Sequence, residues 1–133
     1  MSKKHTQEKV AAFLNSSGYM EFKDHMFDSD RNKYADIGYT FKKRCFQRRL
    51  IDQDNVCITN GRLSINVFLE ELKFNNDEAR PPSITAQMEI VGEVMGNSWV
   101  KLSFYGLSMK QLIENINDLE QRLINSWDAI YYN

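Results

Sequence analysis

Residues 107–132, LSMKQLIENINDLEQRLINSWDAIYY, constrain the fold more than any other stretch, because they describe a helix that cannot stand alone. Ser108 and Gln111 have the spacing of a capping box, in which each side chain satisfies a backbone donor left unpaired at a helix start. Leu107 and Leu112 flank it as a hydrophobic staple. From there Leu112, Ile116, Leu119, Leu123, Trp127 and Ile130 recur at helical spacing, while Lys110, Glu114, Asp118, Gln121 and Asn125 fall on the other side. A helix with one apolar stripe needs a surface on which to bury it.

The preceding sequence supplies strands for that surface. SITAQMEIV alternates, with Ile84, Ala86, Met88 and Ile90 on one face and Thr85, Gln87 and Glu89 on the other. SWVKLSFY does the same: Val100, Leu102 and Phe104 oppose Trp99, Lys101, Ser103 and Tyr105. The intervening GEVMGNS reads as a hairpin loop. Asn60-Gly61 predicts a second hairpin, because both central residues of a type I′ turn need positive φ. That turn sets Ile58 opposite Leu63 and Val56 opposite Ile65, with the strand running on through Val67 and Leu69. The outward face would carry Arg62, Ser64, Asn66, Phe68, Gln87, Glu89, Trp99, Lys101 and Tyr105.

Nearer the N-terminus, Thr6 caps a short helix bearing Val10, Phe13 and Leu14, with Gly18 at its C′ position. YMEFKDHMF alternates weakly, DSDRNKY reads as a loop, and ADIGYTFKKRCFQ reads as a strand with a competing helical face at Phe41, Cys45, Phe46 and Leu50. Pro81 and Pro82 follow a polar loop, NNDEAR. The expected fold is α+β: a mostly antiparallel sheet of about four to six strands, a short N-terminal helix, and the long C-terminal helix packed on one face. One domain is expected over residues 1–133, a length that buries a core without crosslinks or metals.

With 42% hydrophobic and 26% charged residues, the composition is that of an ordinary globular protein. No apolar run has membrane-spanning length and MSKKHTQEKV lacks a signal core, so an intracellular, cytoplasmic protein without a membrane partner is expected. Cys45 and Cys57 are too far apart for a CxxC pair and read as buried thiols. His5 and His25 do not have zinc spacing.

No local motif announces catalysis. GxSxG, HExxH, the P-loop and GxGxxG are all missing. Asp54 with Glu71 and Lys73 mimics the D…ExK pattern of metal-dependent nucleases. The Asn60-Gly61 register places Asp54 opposite Val67 and Glu71 opposite Leu50, roughly 13 Å apart, too far to share a cation. Asp24, His25, Asp28 and Asp30 lack the spacing and the glycine of a calcium loop and read as a solvated acidic loop. No metal, no cofactor and no enzymatic activity are expected.

Two stretches suggest binding. YTFKKRCFQRRL, residues 39–50, holds Lys42, Lys43, Arg44, Arg48 and Arg49, five of the chain's 17 lysines and arginines, although the net charge is −1. As a strand it puts Thr40, Lys42, Arg44, Phe46 and Arg48 on one face, where cations beside a ring could hold single-stranded nucleic acid. A solvated or protein-facing strand explains the same pattern. At the other end, a helix from 109 to 131 spans roughly 34 Å, longer than a small sheet usually needs. Trp127, Ile130, Tyr131 and Tyr132 would then reach past the core as an aromatic protein interface.

The expectation drawn from these features is a small non-enzymatic protein-binding module. It would act through a protein partner or self-association as a homo-oligomer, in the manner of an inhibitor, accessory or assembly component, including one of viral or mobile-element origin. The alternative is a single-stranded nucleic-acid-binding protein using Lys42, Arg44, Phe46 and Arg48.

Overall fold

The computed structural model describes residues 6–24, 27–50, 63–94 and 98–131. They form helix α1 (Gln7–Ser16), strand β1 (Met20–Phe22), helix α2 (Phe27–Asp36), strands β2 (Tyr39–Arg49), β3 (Leu63–Phe74), β4 (Ser83–Val94) and β5 (Ser98–Leu107), and helix α3 (Met109–Tyr131). The strands make one antiparallel sheet in sequence order, β1-β2-β3-β4-β5. The expected α+β architecture, with a short N-terminal helix and a long C-terminal one, is what the chain adopts.

The capping signals act as the sequence predicts. Gln111 N–H donates to Ser108 Oγ at 3.0 Å and Ser108 N–H to Gln111 Oε1 at 2.9 Å, closing the box that starts α3. Thr6 Oγ1 accepts from Lys9 N–H, and Gly18, at φ 91°, ends the first helix in the left-handed conformation that side chains avoid.

One face of the sheet carries the core. Leu63, Ile65, Val67 and Leu69 of β3 and Ala86, Met88 and Ile90 of β4 meet Val10 and Leu14 of α1 and Leu112, Ile116, Leu119, Leu123 and Trp127 of α3. The twelve-residue strands β3 and β4 are each roughly 40 Å long, so they run under the whole 23-residue helix of roughly 34 Å. Trp127 therefore seats inside the core rather than beyond it. It lies over Gly92, where an added Cβ would fall 2.8 Å from indole Cζ2. A side chain at that point would push the helix off the sheet.

Two local expectations are corrected. The stretch DSDRNKY lies within α2 instead of a loop. Asp28 and Asp30 sit in its first turn, where the helix dipole favours acids, and Arg31 pairs with Asp28 at 3.3 Å. Tyr34 then packs on Phe41 of β2, with ring centroids 4.7 Å apart, so this helix lies on the sheet face opposite α1 and α3.

The second correction concerns register. Leu63 meets Leu50, whose N–H donates to the Leu63 carbonyl at 2.8 Å, and Ile65 pairs with Arg48, not with Ile58 and Val56. Eleven residues of β2 align with β3, which buries Phe46 beside Val67 and pairs the amide of Gln47 with that of Asn66. A ladder of that length outweighs the preference of one tight turn. The Asn60-Gly61 turn, Asp54 and Cys57 lie outside the described residues, and Glu71 stands opposite Lys42.

The remaining face carries Ser64, Asn66, Phe68, Gln87, Glu89 and Lys101, as alternation predicts. Arg62 and the Trp99 side chain lie outside the described residues. In β5 the register shifts by one residue between the Met88 and Ala86 positions, so Tyr105 and Gly106 occupy a bulge. Gly106 there has φ 67°.

Candidate functional site

The basic strand is held in place by carboxylates from four different parts of the chain. Arg44 makes a two-pronged contact with Glu21 of β1, Nε to Oε2 at 2.8 Å and a terminal nitrogen to Oε1 at 2.7 Å. Lys43 Nζ lies 2.7 Å from Asp24, and Lys42 Nζ lies 3.7 Å from Glu71 of β3. Arg48 reaches across the helix-covered face to Glu120 of α3, with two nitrogens at 3.0 and 2.7 Å from Oε2. The Tyr19 hydroxyl donates to that same oxygen at 2.5 Å. One carboxylate on α3 therefore ties α3 to β2 and to the segment joining α1 and β1.

Burial and these contacts set the chemistry of the strand. Burial, followed by the hydrogen bond to Glu120, drives the Tyr19 phenol well above its usual range. The guanidinium of Arg44, bonded directly to Glu21, holds that carboxyl below its ordinary value. Cys45 on the opposite side of the strand is buried, and burial pushes its thiol up to about 11, making it a poor nucleophile at neutral pH. On the same face a polar row runs across the sheet: Gln47 donates to Asn66 at 3.0 Å and Asn66 to Glu89 at 3.3 Å.

Lys42, Arg44, Phe46 and Arg48 do share one face, and it is the face that α1 and α3 cover. Phe46 is fully buried, so its ring offers no surface on which a base could stack. Of the five cations in the stretch, Lys42 and Arg49 are exposed. At the helix end, Trp127 is fully buried and Ile130 is 57% exposed. The Tyr131 side chain and Tyr132 lie outside the described residues.

What alternation did not reveal is an edge. Strand β5 ends the sheet order, and among the described residues no strand pairs with its outer side. Its ten residues contain no proline and one charge, Lys101. Val100, Leu102 and Phe104 pack against the core yet remain partly exposed at this margin, and Tyr105 is 67% exposed. The opposite margin is built differently. There β1 has only three residues, with Met20 and Phe22 exposed and Glu21 held to β2 by the bidentate contact with Arg44. A short edge offers few groups to pair with, whereas a long one with apolar side chains invites pairing.

Among the described residues no group of three or more histidine, cysteine or acidic side chains is placed to hold a metal ion. None of the described helices is long and apolar enough to cross a membrane. The molecule is thus an α+β protein whose antiparallel meander carries two helices on one face and ends, among the described residues, in a three-residue strand at one margin and a ten-residue strand at the other. Comparison with protein-family models, with curated proteins and with solved structures finds no match.

Proposed function

We propose that this protein is a binding module that recognises an extended protein segment along its β5 edge, supplying recognition rather than catalysis. The observation that carries this reading is the ten-residue edge strand Ser98–Leu107 with its half-buried row Val100, Leu102 and Phe104. The outward backbone groups of such a strand are donors and acceptors awaiting partners. An added strand would satisfy them and cover the apolar row, the first giving affinity and the second specificity.

The nucleic-acid alternative has less support, because Lys43, Arg44 and Arg48 are engaged by Asp24, Glu21 and Glu120 and the Phe46 ring is buried. Anisotropy of labelled single-stranded DNA and RNA at low salt is expected to show no binding. Salt-sensitive binding lost on changing Lys42 and Arg49 would favour that alternative.

Photo-crosslinking tests the edge directly. A photoreactive residue in place of exposed Tyr105 should give protein adducts in cells that make the protein, while the same group in place of Arg31 on α2 should not. Absence of adducts at 105, or equal adducts at both positions, would count against the reading.

A further inference from the structure

We infer that the partner of β5 is a second copy of this chain, paired antiparallel across a two-fold axis through Leu102. This rests on the edge reading above and adds the identity of the occupant. A two-fold interface requires a surface that complements itself. In an antiparallel pair, residues directly opposite point to the same face, so the register decides which side chains meet.

With Leu102 opposite its own copy, Val100 falls opposite Phe104 and Lys101 opposite Ser103. The partly exposed apolar row is then covered by itself, and neither lysine faces a lysine. The neighbouring registers are worse. Centring on Lys101 sets like charges face to face. Centring on Ser103 draws Tyr105 and Gly106 of the bulge into the ladder. Registers displaced by a single residue set the helix-side row against the polar face.

The Leu102-centred pairing uses residues 100 to 104, which lie wholly in the regular part of β5. Glu120 of α3 points toward β2, so the opposite flank of that helix, with Asn115, Arg122 and Ser126, lies on the β5 side. Those three residues are exposed. In the dimer they would line a solvated polar rim beside the apolar strand contact, the usual anatomy of such an interface.

The test is sedimentation equilibrium of the whole chain from dilute to concentrated solution. Wild type should reach the dimer mass. Ser103→Lys sets two lysine pairs across the axis and should raise the dissociation constant about tenfold. On β4 this lysine would lie opposite Glu89, so the sheet itself gains an acidic neighbour and should hold, as circular dichroism would verify. Adding Lys101→Glu restores opposite charges across the same axis and should recover the wild-type constant.

A wild type that stays monomeric at high concentration would overturn the second-copy inference. If Tyr105-position crosslinks then carried a different mass, the edge reading would survive; if none formed, both would fall. A wild-type dimer indifferent to Ser103→Lys would also overturn it, because the contact would lie elsewhere.

Discussion

Strands β2 and β5 belong to the same sheet and look opposite in the sequence to what they are in the fold. The conspicuous strand, β2, carries five cations within eight residues, and four of them are answered by Glu21, Asp24, Glu71 and Glu120. The inconspicuous strand, β5, has one cation and an outer margin with no strand beside it among the described residues. The difference teaches that charge density along a sequence measures how many contacts a strand can make, not whether they are still available. Availability depends on what the rest of the chain brings alongside.

The contrast can be broken most severely at Glu120. Replacing it with alanine leaves Arg48 and the Tyr19 hydroxyl without their shared acceptor under α3, and the loss should be about 2 to 4 kcal/mol in urea unfolding. Glu120→Gln should lose less, because an amide oxygen can still accept. A cost near zero for the alanine variant would mean that the charges of β2 are not tied internally.

Gly92→Ala probes how α3 is seated beside the open margin. The new methyl group would crowd Trp127 and Leu63, at a cost of about 1 to 3 kcal/mol. A neutral result would show that the indole does not lie against β4.

Smaller effects separate the two margins. Arg44→Ala breaks a half-exposed pair and should cost at most about 1 kcal/mol. Its signature is in the acid limb. Glu21 has a lowered folded pKa, so its contribution is present above its unfolded value and fades as pH falls through the folded one. Arg44→Ala should flatten that part of a stability-versus-pH curve. Cys45 behaves in the reverse sense. Its folded thiol is raised from 9.0 to about 11, so stability should be full below pH 9 and decline as pH rises toward 11. Cys45→Ser should reduce that decline, read as the change in melting temperature across the alkaline range.

The least change in folding is expected at β5 itself. Lys101→Ala should alter the stability of the protomer by no more than about 0.5 kcal/mol, because the side chain is exposed. A large loss would show that Lys101 holds the sheet together, and β5 would then resemble β2.

Much of this architecture was legible from residue order alone. Capping at Ser108 and Gln111, the stripe of α3 and the alternation of β4 and β5 are short-range patterns, and each corresponds to what the chain does. What was not legible depended on partners distant in sequence. The Asn60-Gly61 signal is local, whereas the observed register is set by the whole length of β2, where Phe46 needs a buried neighbour and Gln47 an amide. Whether Trp127 ends inside the core or beyond it depends on the length of the strands beneath α3, and the twelve-residue β3 and β4 carry it inside. Arg44 and Arg48 read as available because Glu21 and Glu120 lie 23 and 72 residues away. An edge leaves still less trace, since a strand with one neighbour and a strand with two can share the same alternation.

Amide hydrogen exchange at low and high protein concentration compares the two strands in a single experiment. The outward amides of residues 100 to 104 should exchange rapidly in dilute solution and gain protection as concentration rises, while the amides of β2 should exchange at the same rates throughout. Exchange in β5 that is already slow in dilute solution and indifferent to concentration, or protection gained by β2 instead, would contradict the contrast between an open β5 edge and a β2 whose charges are mostly answered within the chain.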